Sequence, residues 1–181
     1  GICTPKWRLI ATRRELGEAS PDDFPLPAFV KPAYEGSSKG IHAGSRIENM
    51  EQLVDVATRL LELYNQPVMV EEFIDGDEVT VGIVGNTPPR VFGPMRILPK
   101  IGGPCFVYSL EMKRDWEILV DYECPAQLDT RVIQEITESS LRAFSVLGCR
   151  DLARMDFRVT HEGTPYFLEI NPLPGLGSHG D

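Results

Sequence analysis

The feature that most constrains this chain is a pair of alternating segments near its end. They read Arg154-Met155-Asp156-Phe157-Arg158-Val159 and Tyr166-Phe167-Leu168-Glu169-Ile170-Asn171. Side chains alternate faces along a strand, so Met155, Phe157 and Val159 share one face and Arg154, Asp156 and Arg158 the other. The intervening Glu162-Gly163 predicts a two-residue hairpin turn, the commonest connection of this kind. With that turn Val159 faces Tyr166, Phe157 faces Leu168 and Met155 faces Ile170, apolar against apolar at every pair. A slip of one residue would set the same face against Phe167, Glu169 and Asn171, so pattern and register agree.

The same register sets Asp156 opposite Glu169 and Arg154 opposite Asn171. Carboxylates directly opposed across a ladder lie about 5 Å apart and repel. A cation between them would relieve this, as would one protonated carboxyl. A solvated polar face is the plainer alternative, since surface like-charge pairs cost only about a few tenths of a kcal/mol. Oxygen donors from Asp156, Glu169 and Asn171, with no His or Cys beside them, suit a hard cation such as magnesium or manganese. The strand ends abruptly in Asn171-Pro172-Leu173-Pro174-Gly175, and functional groups gather in loops at strand ends.

Earlier in the chain, Trp7-Arg8-Leu9-Ile10-Ala11 predicts a strand, followed by a polar connector ending in Phe24-Pro25-Leu26-Pro27. Ala28-Phe29-Val30 leads into Lys31-Pro32, where proline ends a central strand. Asn49 with Gln52 is a capping-box signature. Met50, Leu53, Val54, Ala57, Leu60, Leu61 and Tyr64 then recur at the spacing of one helical face, with Pro67 beyond the end. Val68-Met69-Val70 runs into Glu71-Glu72-Phe73-Ile74 and the turn Asp75-Gly76. That turn is the expected boundary between a smaller part, residues 1–74, and a larger part, residues 75–181. Strands are predicted at Glu78–Val84, Val91–Leu98 and Phe106–Leu110. A second helix begins near Asp129, carries Val132, Ile136, Ala143, Phe144 and Leu147 on one face, and ends at Gly148. Strands and helices alternate without a strict βαβ rhythm, which favours an α+β class.

Bulk properties narrow the function. At 181 residues the chain can hold one domain or two small ones. A net charge of −9 argues against nonspecific nucleic-acid binding, which needs clustered cations. No apolar run approaches the ~20 residues of a membrane span, and no signal peptide is visible. Cys3, Cys105, Cys124 and Cys149 lack zinc-site spacing and read as free thiols of a cytoplasmic protein. The start at Gly1 and the close within Gly175-Leu176-Gly177-Ser178-His179-Gly180-Asp181 read as those of a fragment.

Two further segments can bind a nucleotide. Lys31 precedes Gly36-Ser37-Ser38-Lys39-Gly40, where glycines let backbone N–H groups converge on an anion while lysine adds a point charge. It lacks the Walker spacing, and alone it reads equally well as a surface turn. Glu71-Glu72-Phe73-Ile74 can offer a carboxylate to an adenine amino group and backbone to the ring edge. By itself it reads as an edge strand with one wet face.

Together the pieces resemble the ATP-grasp superfamily, in its D-alanine–D-alanine ligase branch. The matching stretches are FVKPAYEGSSKG, VEEFIDGDEVTVGIVG, YSLEMK and ARMDFRVTHEGTPYFLEINPLPGL, in family order along most of the chain. The resemblance implies an α+β fold of two α/β subdomains with ATP between their sheets. It implies that Lys31, helped by Ser37 and Ser38, holds the ATP phosphates, that Glu71 accepts from the adenine amino group, and that the backbone at Glu72 and Ile74 completes the hinge. Glu78 would hold the ribose hydroxyls, and Lys113 would reach the phosphates from the larger subdomain. Asp156, Glu169 and Asn171 would bind magnesium, Arg154 and Ser38 would serve catalysis, and Gly175 would contact the substrate. The implied reaction makes an acylphosphate from a small carboxylate or amino acid, which an amine then attacks. Neither nucleic acid nor membrane is an expected partner, and a homodimer is compatible with the family. D-alanine ligases end this region in S-H-S, whereas Ser178-His179-Gly180 stands here, so a ligase with another amino-acid acceptor is one alternative. A nucleotide-binding module without turnover is the other.

Overall fold

In a computed structural model of the chain, residues 1–36, 38–100 and 107–176 are described. Their contacts divide into two compact units that are not contiguous in sequence. One comprises Pro5–Phe73 with Val107–Asp115; the other comprises Gly1–Thr4, Ile74–Phe106 and Trp116–Asp181. Among the described residues, no helix is long and apolar enough to cross a membrane, and Cys3, Cys124 and Cys149 are free thiols.

The first unit is an antiparallel sheet of β1 (Trp7–Ile10), β2 (Ala28–Pro32), β3 (Arg46–Ile47) and β4 (Val68–Glu72), in the order β1-β4-β2-β3. Helix α1 (Arg13–Gly17) lies within the expected polar connector, capped by the Thr12 side chain. Helix α2 (Met50–Tyr64) starts at Asn49, whose side chain accepts from Gln52 N–H at 3.0 Å. Gln52 returns its own side chain to Glu48 N–H, one residue outside the expected box. Leu53, Val56, Ala57 and Leu60 bury a stripe against Ile10, Ala28, Val30, Ile47, Val68 and Val70. Val54, expected in that stripe, is exposed; Val56 takes the place one turn above Leu53.

Helix α3 (Leu110–Arg114) also belongs to this unit and overturns the expected strand at Phe106–Leu110. Val107–Ser109 is irregular, and Phe106 lies outside the described residues. Ser109 explains the outcome: its Oγ accepts Met112 N–H and its carbonyl accepts Lys113 N–H, a helix cap that outweighs the apolar alternation.

The second unit holds β5 (Asp77–Val84), β6 (Arg90–Pro99), β7 (Val120–Glu123), β8 (Leu152–Val159) and β9 (Pro165–Asn171), antiparallel in the order β7-β6-β5-β8-β9. Helices α4 (Trp116–Leu119) and α5 (Thr130–Val146) complete it. Helix α5 lays Val132, Ile136, Ala143 and Phe144 on Val79, Val81, Ile83, Met155, Phe157 and Val159. Leu147, expected on that face, is instead the exposed C-terminal cap. Gly148 follows at φ +67, donating to the Ser145 carbonyl while Cys149 donates to that of Phe144, the paired closure that glycine permits.

The hairpin register is half as expected. Arg154 faces Asn171, Met155 faces Ile170 and Asp156 faces Glu169, but Phe157 faces Phe167, Arg158 faces Tyr166 and Val159 faces Pro165. The turn has three residues rather than two. Thr160 N–H reaches the Thr164 carbonyl, Gly163 N–H reaches that of Thr160, and Gly163 sits at φ +82. Such loops place a glycine in the left-handed region. The one-residue offset is taken back by a bulge at Leu168, which also turns Phe167 and Ile170 to the same core although they are three residues apart. Phe167 meets Phe157 edge-on, with centroids 5.7 Å apart.

Candidate functional site

With α5 covering one face of the five-stranded sheet, the even-numbered residues of β5 and β8 line the other. There the expected acids come together. Asn171 Nδ2 donates to Glu169 Oε1 at 3.1 Å and lies 3.5 Å from Asp156 Oδ2. Asp156 also accepts from Arg154 Nε at 3.1 Å and Nη2 at 3.0 Å. This corrects the electrostatic expectation. The opposed acids do not stand bare, because Arg154, two residues along the same strand face, supplies countercharge to Asp156. Among the described residues no group of three or more His, Cys, Asp or Glu side chains is arranged to hold a metal. The cluster has two carboxylates and an amide, an all-oxygen donor set if the amide turns its Oδ1 inward, and that set fits a hard cation.

Strand β5 adds residues that the hairpin alone does not reveal. Thr80 lies opposite Asp156 and donates its one hydroxyl proton to Asp156 Oδ1 at 2.7 Å, with the Met155 carbonyl 3.3 Å from Oγ1. Glu78 lies opposite Arg158 and is paired with it at 3.2 Å. Thr80 and Glu78 share a face by strand alternation, a signal present in the sequence. The partner strand, some seventy residues away, is what it leaves unstated.

The first unit carries the other candidates. Lys31 on β2 and Glu71 on β4, read separately from sequence, are joined: Lys31 Nζ donates to Glu71 Oε1 at 2.6 Å, and Glu71 is buried. Lys31 stands beside Met69, two residues from Glu71, so both side chains share the face opposite buried Val30 and Val70. The Glu72 N–H is committed to the Lys6 carbonyl at 2.8 Å, so of its backbone groups only the carbonyl is left to offer a ring edge. In the glycine loop Ser38 adopts φ +56, and its Oγ is 3.5 Å from the Tyr108 carbonyl. Lys113 lies over the Tyr108 ring, 5.1 Å from its centroid. The glycine loop thus meets the YSLEMK segment at Ser38 and Tyr108, and Lys113 belongs to the smaller unit rather than the larger one expected. At Gly40, φ +77, a Cβ would come within 2.6 Å of the Pro32 ring, so glycine lets the loop close on the end of β2. Gly175 is exposed in the segment after β9. Ser37 and Ser178-His179-Gly180 lie outside the described residues.

Known proteins resemble this chain in sequence and in fold. The family model described as D-ala D-ala ligase C-terminus matches residues 3–180. A D-alanine–D-alanine ligase of Aquifex aeolicus is 37% identical over 97% of this chain and 55% of its own length. The structure of VanG D-Ala:D-Ser ligase from Enterococcus faecalis superposes with a TM-score of 0.77 at 26% identity, over the whole of this chain and 51% of that one. That of the Bacillus anthracis D-alanine–D-alanine ligase complexed with ATP gives 0.75 at 23% identity, over 99% and 53%. The chain therefore spans about half the length of the relatives it matches. With two antiparallel α+β units and a family model matched along nearly its whole length, the chain belongs to the D-ala D-ala ligase C-terminus family.

Proposed function

We propose that the protein is an ATP- and magnesium-dependent ligase that activates a small carboxylate, a D-alanine-like amino acid, for attack by an amine. The observation that carries this reading is the polar face of β8 and β9. There Asn171 stands within hydrogen-bond reach of both Asp156 and Glu169, with Arg154 beside Asp156. Asp156, Glu169 and Asn171 would hold magnesium, which supplies charge neutralisation for phosphoryl transfer when bound.

The chain's own residues do the rest. Lys31 and Lys113 would steady the phosphates with Ser37 and Ser38, and Ser38 would serve catalysis beside Arg154. Glu71 would accept from the adenine amino group; a carboxylate has two oxygens, so pairing with Lys31 leaves it accepting capacity. The Glu72 carbonyl and the Ile74 backbone would border the ring, and Glu78 would accept from the ribose. Arg154, a guanidinium aligned beside the acids, is suited to meet negative charge that develops on the carbonyl oxygen as the amine attacks. Gly175 would contact the substrate through its backbone. On this reading the protein is a cytoplasmic enzyme acting on small molecules, compatible with a homodimer.

The test is to incubate the full-length protein with ATP, magnesium and pairs drawn from a panel of D- and L-amino acids, and to follow phosphate release. Release with a D-alanine pair supports the reading as stated, and release only with another pair supports a different acceptor. ATP binding without release under any pair would favour a nucleotide-binding module.

A further inference from the structure

Arg158 has no place in the function proposed above, yet it is buried, with 7% of its surface exposed. A guanidinium taken out of water must be paired with acceptors, because an unpaired buried charge is strongly disfavoured. Arg158 Nη1 donates to the Gly76 carbonyl at 2.9 Å, and Nη2 meets Glu78 Oε2 at 3.2 Å. Gly76 is itself locked. At φ +150 it presses so closely on β8 that a Cβ would lie 2.0 Å from the Val159 carbonyl oxygen. One planar fork therefore ties a fixed turn to the Glu78 carboxylate. A lysine, with a single ammonium, cannot reproduce that geometry.

The pair Glu78–Arg158 and the pair Thr80–Asp156 are neighbours on the same face of β5 and β8. Two residues along a strand separate them by roughly 7 Å. We propose that Arg158 is a positioning residue. It holds the Glu78 carboxylate at a set place relative to Asp156, so that one ligand, with hydroxyls at one end and charge at the other, meets both. This rests on the reading of Glu78 as the ribose acceptor, and it makes Arg158 a determinant of selection for a nucleoside that carries its ribose hydroxyls.

Binding of ATP and of 2′,3′-dideoxy-ATP to the full-length protein, in the presence of magnesium, measures that selection. The wild-type protein prefers ATP by about tenfold or more, the size expected of hydrogen bonds to a charged acceptor. Glu78→Gln and Arg158→Gln each reduce the preference to about threefold or less, while affinity for the dideoxy nucleotide changes by no more than about twofold. The double variant loses nothing further, because both changes disable one device. Arg158→Lys, which keeps the charge, gives an intermediate preference and decides the matter if Arg158→Gln does not fold. A folded Arg158 variant that keeps the full wild-type preference overturns the inference and leaves the ligase reading standing. A wild-type protein that binds both nucleotides equally overturns the assignment of Glu78, and the inference with it.

Discussion

Glu169 and Thr80 reach the same carboxylate cluster by different routes, and replacing them separates charge from orientation. Glu169→Gln keeps the shape but removes one charge. We expect turnover to fall by at least about a hundredfold, and magnesium to improve ATP binding less than in the wild type. Phosphate release and calorimetry with and without magnesium check this; unchanged metal dependence would remove Glu169 from the metal site. Thr80→Val deletes the donor to Asp156 Oδ1 and preserves volume. Magnesium dependence of ATP binding should weaken by roughly tenfold, and Thr80→Ser, which restores the hydroxyl, should recover most of it. Of these residues, Arg154, Asp156, Glu169 and Asn171 were legible because they sit within one hairpin, whose local alternation decides their face. Thr80 and Arg158 were not, since their partners depend on which distant strand lies beside β8.

Among the elements, two glycines at positive φ show how differently backbone freedom can matter. Gly148 follows α5 at φ +67 with open space around its Cβ position, so Gly148→Ala should cost only the left-handed backbone penalty, about 1 kcal/mol. A Cβ on Gly76 would collide with Val159 backbone, which cannot yield without displacing β8. Gly76→Ala should cost about 3 kcal/mol or more. Urea denaturation of the two variants gives the comparison, and equal costs would refute the close approach at Gly76. The hairpin teaches a related lesson. Apolar alternation located its strands, but the turn length depended on Gly163 taking the left-handed conformation and the bulge on Phe167 reaching Phe157. The register at Asp156 agreed with expectation because two one-residue shifts cancelled. In 107–114, apolar alternation misled because the Ser109 cap acts on the backbone and leaves no mark on that pattern.

For the whole molecule, acid stability tests the charge clusters that join its strands and loops. Glu123 accepts Gln127 N–H at 2.8 Å and pairs with Arg96 at 2.9 Å, and these hold its carboxyl below the usual range. The Ser20 backbone and Arg8 do the same for Asp23. A carboxyl depressed in the folded state binds its proton more readily when unfolded. The stability it adds is therefore present above the unfolded value and drains away as pH falls through the folded one. Thermal denaturation should show a loss on going below about pH 4, and the loss should be smaller in Glu123→Gln. An equal loss in that variant would clear Glu123 of the role. The sequence by itself determined the α+β class, the two main helices and the acids of the last hairpin, because each follows from the period of apolar residues and from caps a few positions apart. Only the tertiary structure decided that Lys31 meets Glu71, that Ser38 of the glycine loop meets Tyr108, and that Arg158 grips Glu78. Those contacts join residues brought together by strand pairing and packing across the chain, which no local pattern encodes.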